Sequence, residues 1–183
     1  MKTVESKIIK ILEKTHALKY GDFTLASGDK SPFYIDLRVI PNYSEAFKEI
    51  IEISVNYLHR KSLEIDGVVG IPLAGIPFAT MIAYQLHKPL YILRKEPKKH
   101  GLQKIIEGEL KPKQKILLVD DLISSGFSKL YAINALREEG ADVTNLFVYI
   151  DRSPDGLTEF EKKNSIKVHY LINKEDILSK INV

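Results

Sequence analysis

The sequence predicts an α/β protein: a twisted, mainly parallel sheet flanked by helices, preceded by a small N-terminal element. Two observations carry this. Short apolar runs at Val68–Ile71, Leu90–Leu93, Ile116–Val119 and Thr144–Ile150 read as strands buried on both faces. Segments of helical periodicity fall between them, at Ile76–Leu86 and from Leu130 to Glu138. In such sheets ligands bind at the carboxyl ends of the strands, so the residues just after each run are the candidate functional ones.

Taken in order, Ile8, Ile9, Ile11 and Leu12 give the opening segment an apolar helical face. Tyr20–Gly21–Asp22 reads as a turn into a short strand, Phe23–Thr24–Leu25, which stops at Ser27–Gly28–Asp29. Phe33–Arg38 reads as a second strand, and the two suggest a small antiparallel element. Ser44 is placed to cap a helix running to Leu58. The strand–helix alternation then begins and continues to Ile150, with no internal repeat or low-complexity segment.

The chain has 183 residues, 44% apolar and 28% charged, which fits one domain, 1–183, with a substantial core. Cysteine is absent, which rules out a disulfide framework, a thiol nucleophile and a cysteine-based zinc site. The net charge of +3 is mild, and the cations concentrate in one segment, so the charge does not point to nucleic acid. No apolar run approaches a membrane span, and Met1–Lys7 lacks the apolar core of a signal peptide. A cytoplasmic protein without membrane contact is expected.

Three stretches carry chemistry. In the first, the run Ile116–Val119 leads into Asp120–Asp121, then Leu122, Ile123, Ser124, Ser125, Gly126, Phe127 and Ser128, then a helix closing at Glu138–Glu139–Gly140. A strand, acids, a small-residue loop and a helix are what an α/β protein uses to hold a phosphorylated sugar: N–H groups and the positive helix end face phosphate, carboxylates face hydroxyls. Asp–Asp alone would equally suit an ordinary acidic turn; the surrounding order tells against that. No G-x-x-x-x-G-K-[ST] or G-x-G-x-x-G pattern is present. The second stretch, Gly70–Ile71–Pro72–Leu73–Ala74–Gly75, is a tight strand-to-helix loop whose glycines either let backbone N–H groups approach an anionic ligand or only turn the chain from strand to helix. The third, 94–112, is a long charged insertion carrying Arg94, Lys95, Lys98, Lys99, His100 and Lys104. Such a run is either a solvated charged loop or a set of cations that closes over an anionic leaving group, stabilising its charge and excluding water.

The Asp–Asp segment resembles the ribose-phosphate signature of type I phosphoribosyltransferases, the enzymes that use phosphoribosyl pyrophosphate (PRPP). Arg94–Lys95–Glu96–Pro97–Lys98–Lys99–His100–Gly101 resembles the mobile loop of the orotate phosphoribosyltransferases, and Phe23–Arg38 resembles their hood. The resemblance implies the type I phosphoribosyltransferase fold, with hood 1–40 and a mobile active-site loop 94–112. It implies that Arg94, Lys95, Lys98 and His100 contact pyrophosphate, together with Leu73 and Ala74, where an unusual peptide geometry is expected. Asp120 and Asp121 would hold the ribose hydroxyls, and Leu122 to Ser128 the 5′-phosphate. Ser124 and Arg152 would meet orotate, Arg152 by a guanidinium fork on the carboxylate. Phe33 and Tyr34 would flank the base. Lys98, His100, Asp120 and Asp121 are the residues implied for catalysis.

The implied reaction joins orotate and PRPP to give orotidine 5′-monophosphate and pyrophosphate in pyrimidine biosynthesis. Mg2+ would enter with PRPP, with no direct protein ligand. The family precedent is a homodimer whose loop is shared between subunits. The chain departs from the family pattern at Ala26, where many bacterial relatives carry lysine, at Phe127, where a small or hydroxylated residue is usual, and over Leu102–Ile106. The competing readings are a phosphoribosyltransferase for another base and a PRPP- or nucleotide-sensing regulator of the same fold.

Overall fold

The computed structural model describes residues 3–24, 28, 30–95 and 105–181. The chain divides into two compact units, Met1–Ile53 and Ser54–Val183. The first begins with α1 (Val4–Lys14), capped by Thr3, whose hydroxyl accepts the Ser6 N–H. Its apolar face buries Ile8, Ile9, Ile11 and Leu12, as the sequence periodicity predicts. β1 (Leu18–Thr24) and β2 (Lys30–Ile35) then form the expected antiparallel pair.

Two details of this unit differ from expectation. Tyr20–Gly21–Asp22 lies inside β1 as a register irregularity between Tyr20 and Phe23, with Gly21 at φ 147°, so glycine there makes a bulge and not a turn. The second strand stops at Ile35: Asp36 caps a 3-10 helix, Leu37–Asn42, by accepting the Arg38 N–H, and holds the Arg38 guanidinium at 2.6 Å. A local side-chain cap therefore ends the strand three residues early. α2 (Ser44–Lys61) crosses from the first unit into the second. Tyr43 O already accepts the Phe47 N–H, so Ser44 stands within the helix and is not its cap.

The second unit is a seven-stranded sheet of order β5-β4-β3-β6-β7-β8, with β9 also pairing β7. Its strands are β3 (Gly67–Gly70), β4 (Leu90–Leu93), β5 (Ile106–Glu107), β6 (Lys115–Ile123), β7 (Asp142–Asp151), β8 (Lys167–His169) and β9 (Ile172–Asn173). Among the described residues of this sheet only β5 runs antiparallel, on the edge beside β4; the other pairings are parallel. β5 lies inside the stretch 94–112, which reads in sequence as an insertion without secondary structure. Two residues are too few to show a strand period. Helices α3 (Gly75–Leu86), α4 (Phe127–Glu138), α5 (Thr158–Asn164) and α6 (Lys174–Ile181) complete the unit.

Alternation along β6 and β7 sorts the core. Leu118, Leu146 and Val148 belong to one cluster with Ala132, Ile133 and Leu136 of α4. On the other face Phe78 of α3 stacks on Tyr149 at 4.5 Å between ring centroids, and Tyr149 on Phe147 at 5.3 Å. Each fully buried side chain of this kind contributes about 1.5–3 kcal/mol. The rigid centre thus lies under the carboxyl ends of β3, β6 and β7. Among the described residues, no helix is long and apolar enough to cross a membrane.

Candidate active site

β6 carries the acids. The strand does not stop at Val119 but continues to Ile123, because β7 pairs with it as far as Ile123↔Asp151. Asp120 and Asp121 are strand residues, and alternation sends their side chains to opposite faces. Asp120 is 4% exposed. Its Oδ2 lies 2.7 Å from Lys129 Nζ, and its Oδ1 accepts the Asp121 N–H at 2.9 Å. Burial pushes the Asp120 carboxyl up to about 6; the Lys129 ammonium opposes that rise and Asp121 adds to it. Asp121 is partly exposed, and its Oδ1 accepts the Leu122 N–H at 2.7 Å.

The loop after β6 comprises Ser124, Ser125 and Gly126. Ser124 and Ser125 are exposed. Gly126 adopts the left-handed conformation at φ 76°, and a Cβ there would stand 2.4 Å from the Phe160 ring, so the position needs glycine twice over. It serves as N-cap of α4 and no side chain caps the helix, which leaves the first-turn N–H groups to meet an anion. Phe127, 81% exposed, opens the helix with its side chain in solvent. The departure from the family pattern therefore leaves the backbone of the loop in place.

The loop after β3 runs alongside. The Pro72–Leu73 peptide bond is cis, one bond before the position where unusual geometry was expected, and Leu73 is exposed. Gly75 N–H bonds Ile71 O at 3.0 Å to close the turn. A Cβ on Gly75 would lie 2.4 Å from Val119 O and 3.1 Å from Asp120 Oδ1, so α3 begins in direct contact with the acids.

Two more strand ends flank these. Beyond β7, Arg152 N–H bonds Ile123 O at 2.8 Å, which fixes Arg152 beside the start of the small-residue loop. Asp151 Oδ1 accepts both the N–H and the hydroxyl of Ser153 and turns the chain away. Beyond β4, Arg94 N–H bonds Ile105 O at 2.8 Å and its guanidinium pairs with Glu107 of β5. Lys95 O accepts the Tyr131 hydroxyl of α4 at 3.1 Å. Lys98 and His100 lie outside the described residues, as do Ala26 and all of 102–104. Phe33 is buried and Tyr34 exposed on β2, within the first unit.

A cleft of about 560 Å³ borders Ser124, Gly126, Phe127, Ser153 and Phe160 at the carboxyl ends of the strands. Another, of about 540 Å³, lies by Glu64, Asp66, Lys88 and Lys115, before the strands begin. In a parallel sheet the first is the candidate. The sequence reading missed Lys129 and Glu107. Lys129 had left a trace: it stands in phase with Ala132, Ile133 and Leu136, a lysine on the apolar face of a helix.

The phosphoribosyl transferase domain family matches residues 40–175. The orotate phosphoribosyltransferase of Staphylothermus marinus is 39% identical over 171 residues, 93% of this chain and 82% of that protein. That of Pyrococcus abyssi is 33% identical over 180 residues, 98% of each chain. Among solved structures, the orotate phosphoribosyltransferase from Aeropyrum pernix superposes with a TM-score of 0.84 at 29% identity, covering 96% of this chain and 98% of that one.

Proposed function

The chain belongs to the orotate phosphoribosyltransferases of the phosphoribosyl transferase domain family, and on that premise we propose how its strand ends carry out the reaction. The enzyme transfers the phosphoribosyl group of PRPP to orotate, giving orotidine 5′-monophosphate and pyrophosphate. The N1–C1 bond forms as the bond from C1 to the pyrophosphate oxygen breaks. Orotate is already a nitrogen nucleophile, so the protein's task is alignment and stabilisation of the charge that moves onto pyrophosphate.

One observation carries the assignment of residues: four neighbouring strand ends, of β4, β3, β6 and β7, present a cation, a tight loop, an acid pair with a small-residue loop, and a second cation. The first-turn N–H groups of α4 and the loop Ser124–Ser128 receive the 5′-phosphate. Asp121 meets the ribose hydroxyls. Leu73 and Ala74 receive pyrophosphate on main-chain N–H groups, and Arg94 exchanges Glu107 for it. Lys95, Lys98 and His100 complete its charge stabilisation, Lys98 contributing most. Ser124 and Arg152 hold orotate.

Among the described residues, no three acidic or histidine side chains cluster as metal ligands. The partly exposed Asp121 carboxylate suits a hard cation carried on substrate oxygens and water. Mg2+ bound to PRPP neutralises pyrophosphate charge. We place the enzyme in the cytoplasm as a homodimer that shares the loop 94–112.

The test follows the ultraviolet absorbance of orotate in the presence of PRPP and Mg2+. Steady loss of orotate with equimolar pyrophosphate release is expected, and turnover in Lys98→Ala is expected to fall by at least about 100-fold. PRPP turnover with uracil or hypoxanthine but not orotate would overturn the base assignment. A Lys98→Ala enzyme within a few-fold of wild type would overturn the closing-loop account.

A further inference from the structure

Lys129 is the third residue of α4, and it is 6% exposed. Both circumstances are unfavourable for a cation. The first turn of a helix is its positive end, and burial penalises an ammonium. The side chain does not reach out toward the small-residue loop's open face. It points under it, to Asp120 Oδ2 at 2.7 Å and Ser128 Oγ at 3.2 Å.

Both Asp120 oxygens are therefore engaged by the protein, one by Lys129 and one by the Asp121 N–H. A Cβ at Gly75 would stand 3.1 Å from Oδ1, so the start of α3 lies beside that oxygen. The orientation of the Asp120 carboxylate sets the Asp120–Asp121 peptide, and Asp121 is the acid left partly exposed.

We propose that Lys129 is a positioning residue for PRPP: it fixes Asp120 as an anion beneath the phosphate loop, so that Asp121 is presented to the ribose hydroxyls. The inference rests on the reading of this site as the PRPP site. Among the described residues, the charged groups facing Asp120 are Lys129 from α4 and Asp121 from its own strand. Without the ammonium, a buried carboxyl next to a second carboxylate takes up a proton near neutrality. Protonated Asp120 is a poorer acceptor for the Asp121 N–H, and the acid pair loses its set geometry.

The test titrates PRPP with Mg2+ by calorimetry into wild type, Lys129→Met, Lys129→Arg and the double variant D120N/K129M, from about pH 6 to 9, with orotate kinetics in parallel. Lys129→Met is expected to bind PRPP at least about tenfold more weakly than wild type at neutral pH, the deficit shrinking as pH rises, with KM for orotate within about twofold. Lys129→Arg keeps the charge and is expected to keep a pH-independent ratio to wild type. The double variant, with a neutral pair in place of the ions, is expected to show a deficit that does not change with pH. A Lys129→Met deficit that is absent, or equal at every pH, overturns the proposal. Should Lys129→Met not fold, the double variant decides: wild-type affinity overturns the positioning role, a pH-flat loss upholds it. A wild type that binds no PRPP refutes the reading of the site itself, whereas a binding wild type matched by Lys129→Met refutes only the role of Lys129.

Discussion

Gly75→Ala sets two effects of known size against each other. Gly75 is the first residue of α3, and on helix propensity alone alanine there gains about 0.8–1 kcal/mol. The added Cβ, however, would stand 2.4 Å from Val119 O and 3.0 Å from Asp120 Cα. Neither neighbour is the far end of a flexible side chain. Both are backbone atoms of β6, a strand paired on one side with β3 and on the other with β7, and Val119 O itself accepts the Ile71 N–H at 2.9 Å. Overpacking costs about 1–3 kcal/mol in cores that can adjust. Here the adjustment must move α3 or the central strand, so the upper end applies and the clash outweighs the propensity gain by about 2 kcal/mol. For a chain of this size that lowers Tm by about 4–8 °C. Because the displaced atoms include those of Asp120, PRPP affinity falls as well. Thermal unfolding followed by circular dichroism checks the first effect and calorimetric titration the second. Thr80→Ala, on the exposed side of the same helix, serves as the control. A Gly75→Ala protein that melts at or above the wild-type temperature would refute the reasoning, since helix propensity would then have won.

Three further outcomes are expected. His169 is buried with Nε2 2.9 Å from Asn145 Oδ1, and burial, followed by the nearby Lys61 and Lys167, holds its pKa down at about 4. The unfolded chain therefore takes up that proton first, so the stabilisation is whole above about pH 6.5 and about 3 kcal/mol of it is lost as pH falls toward 4; urea midpoints across that window should fall less steeply in His169→Gln, and parallel curves would contradict this. Glu107→Gln removes the charge that holds the Arg94 guanidinium, a half-exposed pair, so KM for PRPP should drop by about two- to fivefold, and a rise would place Arg94 outside the pyrophosphate site. Mixing and refolding inactive Lys98→Ala with inactive Arg152→Ala should restore about a quarter of wild-type turnover if the loop serves the partner's site; no recovery would put lysine and arginine in the same subunit's site.

What could be seen in the sequence was whatever repeats locally. The buried strands announced themselves as apolar runs, and α1 and α3 as periodic faces. The acid pair and the small-residue loop were recognisable by order alone. What stayed hidden depends on partners distant in sequence. β6 was read four residues short because Asp120 to Ile123 are polar or mixed, and only the pairing with β7 keeps them extended. Asp36 to Arg38 were read into the second strand because a single aspartate, by capping the 3-10 helix, overrides a β-rich composition. The Arg94–Glu107 pair needs the antiparallel return of β5, which two residues cannot signal.

The place of the site follows from unequal strand lengths. β3 pairs with β6 only as far as Gly70↔Val119, while β6 runs on to Ile123 against β7. From Asp120 onward, then, β6 has among the described residues a neighbouring strand on one side and none on the other, and that edge opens at the middle of the sheet. The loop 71–74 and the start of α3 come up against that edge, and they can do so only because Gly70 and Gly75 carry no Cβ: at Gly70 it would meet Ile76 Cα at 2.7 Å. A ligand laid across this gap meets the acid strand, the β3 loop and the α4 N-terminus at once, whereas strands of equal length would have closed it with ladder hydrogen bonds. Register makes the arrangement unforgiving. Slipping β6 by one residue would exchange the faces of Asp120 and Asp121, setting Asp121 against Lys129 and leaving Asp120 at the opening.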